Sequence, residues 1–126
     1  MFKIFDKITG KEVKDVAMFN GKLIEVHDSE WNYVPHDRFI NLLIVNSYSY
    51  LNNLDYMIKL TNDKKELLIF NYFGNYIIKE NQNYYLIKNI KQFLEEKRKY
   101  YKYIYYKNYR ESIKEIKLWV VEIANI

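Results

Sequence analysis

KRKYYKYIYYKNYR, residues 97–110, holds six tyrosines and six basic residues in fourteen positions. Whether it is helix or strand decides the fold of the last third of the chain, and with it which rings and charges share a face. Wound as a helix of 3.6 residues per turn, it puts Tyr100, Ile104 and Lys107 in one row and Tyr101, Tyr105 and Asn108 in the next. Lys99, Lys102, Tyr103, Tyr106 and Arg110 then point outward. The residues just before favour that reading. Asn89 stands ahead of an apolar series, and Gln92 three positions on completes a capping-box pattern. Ile90, Phe93, Leu94, Tyr101, Ile104 and Tyr105 fall on one helical stripe, broken at Lys97. The sequence thus predicts one long helix running from Ile90 through the tyrosines. EIKLWVVEIANI, residues 115–126, fits a strand or the last turns of a helix, and its Val and Ile content tips it towards a terminal strand.

Upstream the signals are those of β-structure. FKIF and EVKDVAMF read as short strands, and Asn20–Gly21 supplies the dipeptide of a two-residue type I′ turn before KLIEVH. DSEWNYVPHDRF reads as a loop, because Pro35 disfavours helix at Val34. The apolar run that follows fits neither period cleanly and is assigned to a helix from about Asp37 to Ser47, with Asp37 able to cap it. DYMIKLT, ELLIFNYF, YIIKE and YYLIKN, separated by NDKK, Gly74–Asn75 and NQN, form a meander of short strands. The expected architecture is α+β: a mainly antiparallel sheet (hairpin plus meander) with one long helix of the C-terminal third packed on one face, room for a short second helix, and a terminal strand. All of it forms a single compact domain, residues 1–126.

Composition narrows the function. The chain has no cysteine, which removes disulfides, thiol nucleophiles and thiolate metal sites and suits a reducing cytosol. The N-terminus lacks a signal-peptide core, and the longest uncharged run, Phe39 to Leu54, is interrupted by Asn and Ser and is too short to span a bilayer, so a cytoplasmic location and no membrane partner are expected. The net charge of +4 is uneven: residues 1–90 balance 11 basic against 11 acidic groups, while residues 91–126 hold 9 against 5. Such a one-sided field attracts acidic partners. The abundance of Lys, Ile, Tyr and Asn is also what A- and T-rich codons produce, so the tyrosine-lysine stretch has an ordinary explanation as well.

Catalytic templates are missing. No phosphate-cradling glycine motif and no nucleophile elbow occurs, and three glycines stand far apart. His27–Asp28 and His36–Asp37 lie nine residues apart, with Glu25 and Glu30 nearby; they offer mixed donors for a divalent metal, or a general acid and base for a small nuclease. Neither spacing supports a site, and no metal or cofactor is assigned. The reading that remains is a non-catalytic binding protein: a small inhibitor or adaptor that docks on a nucleic-acid-handling protein or nucleoprotein, as a phage or mobile-element anti-defence (anti-CRISPR-like) protein would. An immunity protein that neutralises a toxin, a direct RNA or single-stranded-DNA binder, and the small nuclease are the rivals. The expected contacts are Arg98, Lys99, Tyr100, Lys102, Tyr103, Tyr106, Lys107 and Arg110, with Trp31 and Tyr33 as a second patch in the long loop.

Overall fold

Two-residue alternation, not helical period, governs most of this chain. The computed structural model describes residues 2–46, 51–52, 55–62, 64–110 and 115–122, with side chains described no further than Lys107. The elements are β1 (Phe2–Asp6), β2 (Val16–Phe19), β3 (Lys22–His27), β4 (Glu30–Tyr33), α1 (His36–Phe39), β5 (Leu42–Asn46), β6 (Ile58–Thr61), β7 (Glu66–Tyr72), β8 (Asn75–Glu80), β9 (Asn83–Ile87), α2 (Ile90–Lys97), β10 (Tyr103–Arg110) and β11 (Glu115–Glu122). They make three antiparallel sheets: β1 with β5, the three strands β2-β3-β4, and six strands in the order β11-β10-β6-β7-β8-β9.

The long C-terminal helix, and the α+β architecture built on it, are overturned. α2 does begin where the cap pattern places it, with Asn89 Oδ1 accepting the Gln92 N–H at 3.0 Å. It ends after eight residues at Lys97, and Tyr103–Arg110 runs as a strand against β6 and β11. Among the described residues the protein is mostly antiparallel sheet, with two short helices. The physical reason lies in TyrIleTyrTyr. Aromatic and β-branched side chains lose rotamer freedom in a helix and pack well on a pleated surface. Paired to β6, Ile104 and Tyr106 turn to the same side as Leu60 and Ile58, whereas Tyr103 and Tyr105 turn to the other.

The segment after Pro35 also differs from expectation. α1 lasts four residues, and Leu42–Asn46 is a strand; Ser47 lies outside the described residues. Alternation explains that strand: Leu43 and Val45 pack to one side, Leu42 and Ile44 to the other. A strand buried on both faces has the continuous apolar run that a buried helix also shows. The expected loop contains β4, reached through a turn in which Asp28 and Ser29 both take positive φ, 50° and 70°. The turn has the backbone of the Asn20–Gly21 hairpin (47° and 75°) without its glycine.

The layers follow from these alternations. On one side of the six-stranded sheet, Leu60, Leu67, Ile69, Ile78 and Ile104 pack beneath Ile90, Phe93 and Leu94 of α2. On the other, Leu68, Phe70 and Ile77 meet Phe5 and Val45 of the β1–β5 pair. The far side of that pair, through Ile4 and Leu42, carries Val16 and Leu23 of the three-stranded sheet. The turn after β1 is clamped to β9: Gly10 O accepts the Leu86 N–H at 2.7 Å, and an added Cβ at Gly10 would lie 2.5 Å from Leu86 O. Gly10 has φ 77°, and Gly21 a similar 75° but with open space around it. Gly10→Ala is therefore expected to cost more than about 2 kcal/mol, backbone strain plus the clash, and Gly21→Ala only about 1 kcal/mol. Urea melts of the two variants check the order; equal losses would contradict the clamp.

Candidate docking surfaces

The expected contact residues fall into three places, not one face. Lys99, Tyr100 and Lys102 come together in the connection between α2 and β10, where they meet the β6–β7 turn. Arg98 is the exposed C-cap of α2. Tyr103, Tyr106 and Lys107 sit on β10 and divide between its faces. Tyr106 packs against the core under α2, and Lys107 Nζ lies 3.7 Å from the Tyr56 ring centroid on the other side. Burial, with Lys59 beside it, holds the Lys107 ammonium below its ordinary pKa. Arg110 ends β10, its side chain outside the described residues. Tyr101, placed by sequence on the inner row of a helix, is 5% exposed and floors the connection.

The recess formed there measures about 360 Å³ and is lined by Asn62, Lys64, Lys65, Lys99, Tyr100, Tyr101 and Lys102. Asn62 holds its two halves together. Its Oδ1 accepts the N–H groups of Lys64 (3.0 Å) and Lys65 (2.8 Å), while its Nδ2 donates to Tyr100 O at 2.7 Å. Lys102 N donates to Thr61 O at 3.1 Å and Thr61 Oγ1 to Lys65 O at 3.2 Å. Sequence reasoning took NDKK as a polar turn only; its two lysines become part of the site because β6 pairs with β10. That pairing is invisible as long as β10 is read as a helix.

Trp31 and Tyr33 occupy a strand, not a loop. In the three-stranded sheet Val26 pairs with Trp31, Ile24 with Tyr33, Ala17 with Ile24 and Phe19 with Lys22. These residues share the face opposite buried Val16 and Leu23. Among the described residues none covers them: Phe19, Val26, Trp31 and Tyr33 are 58, 46, 57 and 60% exposed. Trp31 and Tyr33 meet edge to face at 6.0 Å, and Lys22 Nζ stands 5.3 Å from the Tyr33 ring. Three aromatic rings so exposed offer on the order of 350 Å², the size at which an apolar patch on a monomer is often functional. The signal was present in the sequence. The Asn20–Gly21 turn fixes the register, and apolar residues then fall on both faces of the hairpin.

The histidine motif resolves differently. Donor atoms of Asp15, Glu25 and His27 lie within 4.8 Å of one another, a spacing that suits a cation. The guanidinium of Arg38, from α1, already serves both carboxylates. It donates to Asp15 at 2.8 and 3.1 Å and to Glu25 at 2.5 Å. A divalent ion would have to displace this bidentate pair, so the donor set does not suit a metal. His27 Nε2 stands 3.6 Å from Asp15 at the rim, and Arg38, not His36, is the residue that closes the cluster. The Arg38 hydrogen bonds hold the Asp15 carboxyl below its ordinary pKa.

No family model, curated protein or solved structure matches this chain. Among the described residues no helix is long and apolar enough to cross a membrane.

The Asp15–Arg38 pair sets a pH dependence. A carboxyl whose folded pKa is depressed contributes stability above its unfolded pKa, near 4, and loses it as pH falls through the folded value. Arg38→Gln should cost about 1 kcal/mol at pH 7, the upper end for a partly exposed pair. The gap from the wild type should close below about pH 4. Thermal or urea melts between pH 7 and 3 test this; a gap that stays constant with pH contradicts the assignment.

Proposed function

We propose that this protein works by binding and not by catalysis: an inhibitor or adaptor that docks, in the cytoplasm, on the protein component of a nucleic-acid-handling assembly. The observation that carries the reading is the uncovered aromatic face of the three-stranded sheet. Trp and Tyr are the residues that most often anchor protein interfaces, because a rigid ring supplies large contact area at little entropic cost. The occupant is taken to be protein because the face has a single lysine, Lys22, while Asp28 in the β3–β4 turn and Glu30 at the start of β4 are exposed at its edge. A phosphate backbone would be repelled at that edge; a partner with an apolar strip and a basic rim would not. The nucleic-acid connection rests on the separate lysine recess, and the location on the absence of cysteine.

The test compares the wild type with a Trp31→Ser/Tyr33→Ser variant as baits in nuclease-treated lysate of the native host, together with sedimentation of each protein alone. The reading expects nucleic-acid-handling proteins to be retained by the wild type after nuclease treatment and reduced at least tenfold on the variant. Retention of the same proteins by both baits would contradict it. A wild type that sediments as a dimer and a variant that does not would assign the face to a second copy of this chain instead.

A further inference from the structure

We propose that the recess between the β6–β7 turn and the α2–β10 connection is a nucleotide site, holding phosphate with its lysines and a base against Tyr100. It is a second surface, and it stands whether or not the aromatic face binds a protein. Four lysines line it, Lys64, Lys65, Lys99 and Lys102, and among the described residues no carboxylate does. Their formal charge equals the net charge of the entire chain, +4. Four lysines elsewhere have a carboxylate within ion-pair distance: Lys3 and Lys14 share Glu12, Lys59 has Glu66 and Lys97 has Glu80. Among the described residues none of the four recess lysines enters an ion pair; Asp63, in the same turn, lies outside those residues.

Charge alone would describe any basic surface. Three further features describe a site. The two loops that carry the lysines are joined through Asn62 and Thr61, so their backbones are held in place before a ligand arrives. The volume, about 360 Å³, is at the lower end for small-ligand pockets and suits one nucleotide, not an extended duplex. Tyr100, in the lining, is 60% exposed and so offers aromatic surface to a base, while Tyr101, also in the lining, is buried. Lysine ammoniums are mobile point charges that follow phosphate oxygens without demanding the planar fork of arginine, consistent with a recess that contains no arginine. The shared chemistry is a phosphorylated nucleotide, met either free or as a residue of a single strand.

The experiment measures binding of ATP, inorganic tripolyphosphate and a short single-stranded RNA to the full chain by calorimetry and fluorescence anisotropy, at 50 and 200 mM salt. Three variants are compared: the recess quadruple Lys64→Gln/Lys65→Gln/Lys99→Gln/Lys102→Gln, Tyr100→Ala, and a control quadruple Lys7→Gln/Lys11→Gln/Lys88→Gln/Lys91→Gln, all at exposed positions. The recess quadruple is expected to weaken binding more than tenfold. Tyr100→Ala should weaken ATP or RNA about tenfold, roughly the 1–3 kcal/mol of a lost stack, and leave tripolyphosphate unchanged. For RNA the log–log salt slope should be about −3. Saturable ATP binding assigns a free nucleotide; RNA binding without ATP binding assigns a strand. No saturable binding of any probe at 50 mM salt would overturn the site. So would an equal loss in the control quadruple, which would mean diffuse charge.

Discussion

The structure depends on strands that are buried on both sides at once. In β7, Leu67 and Ile69 face α2, while Leu68 and Phe70 face the β1–β5 pair. β8 repeats the pattern with Ile78 and Ile77. The β1–β5 pair does the same one layer further out, presenting Phe5 and Val45 inward and Ile4 and Leu42 outward. Each layer is thus the floor of the next. A one-residue slip of register in β7 would exchange two whole sets of core side chains, which is why such strands specify their pairing strongly. The loops that matter for function inherit their positions from this stack.

That inheritance explains why two surfaces of different character coexist. Among the described residues the three-stranded sheet is the last layer: its inner face is satisfied by Val16 and Leu23, and its outer face meets no further layer. At the other end of the molecule, α2 is pinned to the six-stranded sheet through the Tyr85–Phe93 edge contact and the Lys97–Glu80 ion pair. Tyr85 also donates to Glu80 at 2.8 Å. Pinning α2 at Lys97 forces the chain to turn within residues 98–102 before entering β10, and the turn delivers Lys99, Tyr100 and Lys102 to the lip of the sheet. Each surface is what remains exposed when the layers close.

How much of this was legible in the sequence varies with the range of the forces involved. The Asn20–Gly21 hairpin and the Asn89 cap were readable, because turn chemistry and capping act over a few residues. The meander was readable as well, since its turns recur at short intervals. The fate of residues 97–110 was not. Ile104 and the tyrosines satisfy a helical stripe and a strand alternation equally, and the choice is made by β6, forty residues upstream, through Leu60 and Ile58. The same holds for Leu42–Asn46, whose apolar run becomes a strand because β1 pairs with it. Of the site, Lys99, Tyr100, Lys102, Trp31 and Tyr33 were named by composition. Their grouping into a recess and a sheet face required the pairings, as did the contributions of Lys64, Lys65 and Phe19.

The central claim is that Tyr103–Lys107 is a strand bonded to β6, since the recess exists only if it is. Backbone NMR across residues 58–61 and 98–107 tests it directly. The account expects cross-strand contacts between Ile104 and Leu60 and between Tyr105 and Lys59, with slow exchange of the Lys102 and Lys107 amides that donate to Thr61 and Met57. An unbroken run of i to i+3 contacts from Lys97 to Lys107, with none to residues 58–61, would contradict it.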